Sequence, residues 1–260
     1  MGPKKQLGQH FLTSPAYAAH IAGAVPAAPH ETVLEIGPGR GALTVFLTER
    51  FKALHCVEID SDAIAALTRK IGHGSVTIHR HDILSFDYAT AGFPLHVVGN
   101  LPYAIGARII KKTLLYGKNI RSMTFMLQRE VAERIIAGPH CRGNGFLSIF
   151  CQFFGKPGIV CHVPPGAFFP RPRVVSSVVS MTIDPDVEEK LERPRWDEFF
   201  AFVSKGFSQR RKKLAKVIGQ DSIGKSRAES ILGSLGFITT ARPEDLGIND
   251  WLALFKQWTI

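Results

Sequence analysis

The run Asn100-Leu101-Pro102-Tyr103 holds the residue types in this chain best suited to chemistry. An amino group on an aromatic ring is a weak nucleophile, because its lone pair is delocalised into the ring. A site that acts on it needs acceptors for both N–H bonds and a surface that clamps the ring. Asn100 supplies a side-chain carbonyl, Leu101 a backbone carbonyl that Pro102 helps to orient, and Tyr103 an aromatic face. This order of residues points to methyl transfer onto an exocyclic amine of a planar ring. About sixty residues earlier stands the glycine loop Glu35-Ile36-Gly37-Pro38-Gly39-Arg40-Gly41.

Gly37, Gly39 and Gly41 follow an apolar run and make a tight turn that brings a ligand close to the backbone at a helix N-terminus. The spacing G-x-G-x-G departs from the dinucleotide pattern G-x-G-x-x-G, and a turn without ligand is the competing reading of the loop alone. Two acids change the balance. Glu58 falls at the end of the second predicted strand, about twenty residues after Gly37, where a carboxylate accepts hydrogen bonds from both hydroxyls of a ribose. Asp82 follows the third predicted strand, where it can receive the amino group of an adenine. Together they fit an adenosine-containing ligand lying along the carboxyl edge of a sheet. The absence of a phosphate-loop lysine argues against a nucleoside triphosphate.

The elements that position these residues are read from periodicity. Between residues 32 and 183, short β-branched runs alternate with helical periodicity, which predicts a doubly wound, largely parallel sheet covered by helices. Strands are expected at 32–36, 53–59, 76–79, 95–99 and 123–127, with helices at 42–51, 62–71, 105–116 and 129–137. Two further runs, 158–163 and 176–183, flank the proline-rich segment 164–172 as a closing hairpin pair. The charged, proline-containing stretch 185–195 reads as a linker between a catalytic domain, 1–184, and a small all-helical domain, 196–260, expected to bind RNA.

Composition narrows the partners. The 32 basic and 22 acidic residues leave a net charge of +10, which favours a polyanion such as nucleic acid or an anionic membrane surface. Cys56, Cys141, Cys151 and Cys161 form no C-x-x-C pair, so neither a metal site nor a disulfide framework is expected. The first seven residues are short, polar and basic, and no apolar stretch approaches bilayer length, so the chain reads as soluble, cytoplasmic and free of membrane.

The set Leu7-Gly8-Gln9-His10-Phe11-Leu12, Glu35-Ile36-Gly37-Pro38-Gly39, Val57-Glu58-Ile59-Asp60, Asn100-Leu101-Pro102-Tyr103 and Phe168-Phe169-Pro170-Arg171-Pro172 resembles the ribosomal RNA adenine N6-dimethyltransferases of the small-subunit KsgA type. The likeness continues through Phe207-Ser208-Gln209-Arg210-Arg211-Lys212 and Arg242-Pro243-Glu244-Asp245-Leu246. It implies a class-I, Rossmann-like methyltransferase fold with S-adenosylmethionine as donor. The implied acceptors are two adjacent adenines near the 3′ end of 16S RNA, in an immature small subunit. By the same resemblance, His10 and Leu12 close the amino-acid end of the donor, Gly37 packs beside it, Glu58 holds its ribose, Asp82 its adenine, and Asn100 lies between donor and acceptor. Tyr103 and Phe168 sandwich the target base. Arg108, Lys111 and Lys112, Arg171 with Arg173, and the run Arg210, Arg211, Lys212 and Lys213 are the expected phosphate contacts of a monomeric enzyme. The chain departs from the family in having His10 for the usual asparagine, and Ala104-Ile105-Gly106 where Asn-Ile-Ser or Asn-Ile-Thr is more frequent. Two alternatives remain beside this reading: the sister enzymes that dimethylate large-subunit RNA, and relatives that keep the fold without the chemistry.

Overall fold

A computed structural model describes residues 10–71 and 76–260; the first three residues of the opening motif, Leu7-Gly8-Gln9, lie outside the described residues. The elements fall into two compact units, one made of residues 1–132 and 155–185, the other of 133–154 and 186–260.

The first unit carries β1 (Phe11–Leu12), α1 (Pro15–Gly23), β2 (Thr32–Ile36), α2 (Thr44–Arg50), β3 (Ala53–Glu58), α3 (Ser61–Ile71), β4 (Thr77–Arg80), β5 (Leu95–Asn100), α4 (Gly106–Leu114) and β6 (Ile120–Gln128). The helix α5 (Arg129–Ile136) follows, and α6 (Phe146–Phe154) belongs to the second unit. Then come β7 (Gly158–Val163), β8 (Phe168–Phe169) and β9 (Ser176–Thr182). Seven strands form one sheet in the order β4-β3-β2-β5-β6-β9-β7. The first five run parallel, and β9 is antiparallel to both β6 and β7.

The parallel strands explain their own composition. Val33, Leu34 and Ile36 of β2 and Leu95, Val97 and Val98 of β5 are all buried. Side chains of a strand alternate between faces, so both faces of the sheet are covered. On one face, Val33, Leu54 and Val98 pack with Ala18 and Ile21 of α1, Leu47 of α2, and Leu12 of β1. The edge strand β4 is only half-buried. In α4, Ile109, Ile110, Thr113 and Leu114 turn inward while Arg108 and Lys111 stay exposed, the stripe of an amphipathic helix.

The second unit adds α7 (Val187–Lys190), α8 (Trp196–Phe207), α9 (Leu214–Ile218), α10 (Ser222–Ser234) and α11 (Ile248–Trp258). Its boundary differs from the one read off the sequence. Residues 133–154 join the C-terminal helices because α6, Phe-Leu-Ser-Ile-Phe-Cys-Gln-Phe-Phe, is apolar nearly all round and needs cover on every side. Phe150, Phe153 and Phe154 meet Phe200 and, for the latter two, Trp196 of α8, with ring centroids 4.5–6.0 Å apart. The 185–195 stretch holds α7 and two buried side chains, Val187 and Leu191.

Candidate active site

The chain lays down β2, β3 and β4 in one direction and then returns to place β5 on the other side of β2. The loops leaving β2 and β5 therefore diverge, and a crevice opens at their carboxyl ends. Register does the rest. Ile36 is opposite Val57 on one side and Gly99 on the other, so Gly37, Glu58 and Asn100 emerge side by side. A cavity of about 370 Å³ opens here, lined by the glycine loop, Glu58, Asp82 and Asn100 to Tyr103. It falls in the roughly 300–1,000 Å³ range of small-molecule sites.

Gly37 and Gly39 have φ of +65° and +56°, a region that side chains disfavour. A Cβ placed on Gly37 would meet nothing within 4 Å, so its bare backbone borders open space in the cleft. The carboxylate of Glu58 caps the turn. Its Oε2 accepts from the Gly39 N–H at 3.1 Å, and its Oε1 accepts from the Ile59 and Asp60 N–H groups at 2.9 Å each. A carboxylate has about four acceptor sites, so the three bonds leave room at Oε2 for one hydroxyl. Burial pushes the Glu58 carboxyl above the usual range, against the pull of these N–H groups. Behind it lies Glu35, fully buried and pushed up to about 7 by desolvation, with the Cys56 thiol donating to its Oε2 at 3.6 Å. Asp82 is exposed at the cleft and its Oδ1 accepts from the Leu84 N–H at 2.9 Å.

On the other side of the cleft, Asn100 Nδ2 donates to the backbone carbonyl of His10 at 2.9 Å. Only the NH2 end of an amide can donate to a carbonyl, so this bond sets the amide's orientation and leaves Oδ1 as the acceptor. The Leu101 side chain is buried and its N–H donates to Met126 O at 3.1 Å, which holds the motif to β6. The Tyr103 hydroxyl sits 2.7 Å from Ser176 Oγ, and its ring stacks on His10 at 5.5 Å and 29°. Burial pushes the Tyr103 phenol up. The His10 Nδ1 lies 2.8 Å from Pro170 O, and a carbonyl only accepts, so Nδ1 carries the proton. The arrangement offers an edge of bare glycine backbone and two carboxylates and, across from it, an oriented carbonyl beside an aromatic ring.

A model described as ribosomal RNA adenine dimethylase matches residues 2–258. The chain belongs to the ribosomal RNA adenine dimethylase family. It is 40% identical over 253 residues to the ribosomal RNA small subunit methyltransferase A of Aromatoleum aromaticum, covering 96% of this chain and 92% of that one. A dimethyladenosine transferase from Plasmodium falciparum matches with a TM-score of 0.84 at 24% identity, covering 96% of this chain and 99% of that chain. The 23S rRNA methyltransferase ErmE matches at 0.76 and 24%, covering 96% and 100%. The fold is that of a class-I methyltransferase with a helical C-terminal region.

Against the family motifs, the cleft gathers His10, Leu12, Gly37, Glu58, Asp82 and Asn100 to Tyr103, but not Phe168. Phe168 was expected as a stacking face; it is 5% exposed and packs in the core with Leu12, Ala167 and Val178. Strand alternation accounts for this, because β8 turns Phe168 inward and Phe169 outward. Lys112 is likewise spent internally, with Nζ donating to Leu84 O at 3.0 Å and Phe86 O at 2.6 Å. Arg108, Lys111, Arg171, Arg173, Arg211, Lys212 and Lys213 are exposed. Arg210 differs from the rest of its run: it donates to Arg142 O at 2.9 Å and Asn144 O at 2.7 Å. Gly106, a departure from the family pattern, has a packing reason, since a Cβ there would lie 3.0 Å from Leu127 Cδ2.

Sequence reasoning missed Phe11, Arg40 and Ile59 as cleft residues. The sequence pattern ends a strand at Ile59, but β3 stops at Glu58 and leaves Ile59 52% exposed. An apolar residue directly after the strand-end acid was the available signal. For Arg40, whose guanidinium lies 5.0 Å over the Phe11 ring, no signal was present.

Proposed function

We propose that this family member transfers methyl groups from S-adenosylmethionine to N6 of two adjacent adenines near the 3′ end of small-subunit ribosomal RNA, giving dimethyladenosine. It acts as a cytoplasmic monomer on immature small subunits. The observation that carries the reading is the Asn100 amide, whose NH2 is taken by His10 O so that its carbonyl is presented as an acceptor beside Tyr103.

The donor's end of the site fits an adenosine. Gly37 offers bare backbone, Glu58 Oε2 takes a ribose hydroxyl, Asp82 receives the adenine amino group, and Ile59 gives an apolar surface. Leu12 and the His10 backbone border the other end. When bound, S-adenosylmethionine supplies a methyl group already activated by its sulfonium.

The chain's own residues then improve the acceptor. One amine N–H donates to Asn100 Oδ1 and the other to the Leu101 carbonyl, which favours a pyramidal nitrogen with a freer lone pair. The Tyr103 ring, fixed by its hydroxyl at Ser176, clamps a base turned out of its stack. No side chain need act as a base at the outset, because the proton leaves from the cationic product. Catalysis rests on alignment and electrostatics. The second transfer retains a single N–H, held by only one of the two carbonyls.

Arg108, Lys111, Arg171, Arg173, Arg211, Lys212 and Lys213, all exposed, are proposed to hold RNA phosphates. Phe168 becomes a stacking surface only by leaving the core. If it does, Phe168→Tyr keeps the rate on structured RNA and Phe168→Ala lowers it by roughly 5- to 100-fold, one base stack. Equal losses of rate, each tracking lost thermal stability, would leave Phe168 a core residue.

Incubation with labelled donor and unmethylated small subunits, followed by mapping of the modified base, tests the proposal. Label on adenine N6 of small-subunit RNA supports it. Label confined to cytosine, protein or large-subunit RNA, or no label, overturns it.

A further inference from the structure

Phe169 is 63% exposed, and among the described residues its ring meets no other aromatic ring or cation of the chain. A single exposed aromatic is ordinary on a protein surface. Its setting is not ordinary. The segment from Ala167 to Ser176 is tied to the cleft residues at intervals. The Thr13 N–H donates to Ala167 O at 2.8 Å, β8 pairs Phe169 with Phe11 and Phe168 with Leu12, and His10 Nδ1 donates to Pro170 O. The Tyr103 hydroxyl bonds Ser176 Oγ at the far end. Phe11, Leu12, His10 and Tyr103 all line the cleft. These separate contacts fix the backbone at Phe169 beside residues that line the cleft, which reduces the entropy lost when a ligand orders this segment.

Exposure along this segment alternates. Phe168 is buried and Phe169 exposed; Pro172 is buried between exposed Arg171 and Arg173. An aromatic face and two guanidinium groups therefore share the solvent side of one proline-stiffened stretch. Aromatic rings interleaved with cations are how single-stranded nucleic acid is held without reading its sequence.

We infer that Phe169 is a stacking platform for the nucleotide next to the adenine in the cleft, with Arg171 and Arg173 holding the phosphates on either side of it. The inference rests on the proposed RNA substrate. It adds a second base site to the one formed by Asn100 to Tyr103. In a target with two adjacent adenines, this platform holds one while the other is in the cleft.

The test compares wild type, Phe169→Leu and Phe169→Trp for affinity and methylation kinetics on unmethylated small subunits. Leucine keeps the apolar bulk and loses the stack; tryptophan keeps the stack. Phe169→Leu should weaken subunit affinity by roughly 5- to 100-fold, the range of one base–aromatic stack. KM should rise with a smaller change in kcat, while donor affinity, melting temperature and the salt dependence of binding stay as in wild type. Phe169→Trp should restore affinity, and the fluorescence of its added indole should be quenched when subunits bind. Equal affinity of wild type and Phe169→Leu overturns the inference, as does an indole signal in Phe169→Trp that subunits leave unquenched. The affinity ratio decides this point whether or not wild type methylates, so a failure of the proposed activity would show separately, as wild-type protein that binds subunits and transfers no label.

Discussion

The cleft in the first unit and the aromatic core of the second are held together by different physics. In the cleft, side chains are oriented by directional bonds: Glu58 by three backbone N–H donors, Asn100 by His10 O, His10 itself by Pro170 O, and Tyr103 by the Ser176 hydroxyl. In the second unit, Phe150, Phe153, Phe154, Trp196 and Phe200 are fixed by shape and contact, with ring centroids 4.5–6.0 Å apart. Directional bonds make the first region sensitive to the loss of a single acceptor. Dense packing makes the second sensitive to a single added methyl. The contrast teaches where activity and stability can be separated.

The sharpest break comes at Asn100. Asn100→Ala removes the oriented carbonyl and should lower the single-turnover methylation rate by roughly 100- to 1,000-fold, the scale of one lost preorganised hydrogen-bonding group. Glu58→Ala should do the reverse, raising the Kd for S-adenosylmethionine while leaving the rate at saturating donor near wild type. Calorimetric titration beside rapid-quench kinetics separates them, and unchanged donor affinity in Glu58→Ala would remove the ribose assignment.

The next effect lies beneath the glycine loop. The folded protein raises the Glu35 carboxyl from 4.5 to about 7, so the fold favours its protonated form. That contribution is fully present below about pH 4.5 and is lost as pH rises through about 7. Glu35→Gln stays neutral throughout. Between pH 5 and 8 the wild type should lose up to about 3 kcal/mol of stability relative to Glu35→Gln, in denaturant titrations without donor. A constant difference across that range would mean that the buried acid is not protonated.

Volume is tested at Gly206 in α8. A Cβ there would collide with the ring of Trp251 and lie 3.2 Å from Leu214 Cδ1. Helix propensity favours alanine by about 1 kcal/mol, but overpacking costs about 1–3 kcal/mol, and Trp251 is fully buried and unable to yield. Gly206→Ala should therefore lower the melting temperature, with donor affinity unchanged.

The smallest effects divide the basic run. Replacing Arg211, Lys212 and Lys213 with glutamine should reduce the slope of log affinity against log salt by up to about one unit per residue, without lowering the melting temperature. Arg210→Gln should do the opposite, because its guanidinium holds two backbone carbonyls of the 142–144 loop. A slope that responds equally to all four would return Arg210 to the RNA-binding set.

Much of this was legible in the residues. Strands of a parallel sheet are buried on both faces and read as apolar β-branched runs, so β2, β3 and β5 lie within one residue of their predicted bounds. The glycine turn, Glu58, Asp82 and Asn100 announce themselves because each stands where a strand ends, and strand ends are countable. The helix α6 was not assigned, since a short, almost wholly apolar run carries no periodicity that distinguishes a buried helix from a strand. The pair β1 and β8 was missed as well. Each is two residues long, and it joins Phe11 to Phe169 and Leu12 to Phe168 across most of the first unit's chain.

From sequence alone came the chemistry on offer, the order of the strands along the chain, and the family likeness through motifs in sequence order. Tertiary structure alone decided which groups are spent. It turned Phe168 into the core and Phe169 into solvent, committed Lys112 and Arg210 to backbone carbonyls, and oriented the Asn100 amide by a carbonyl 90 residues away. The reason is physical. A residue type states what a side chain can bond to, but its partner is chosen by whichever donor or acceptor the fold brings within about 3 Å, and that choice depends on long-range register rather than on local sequence.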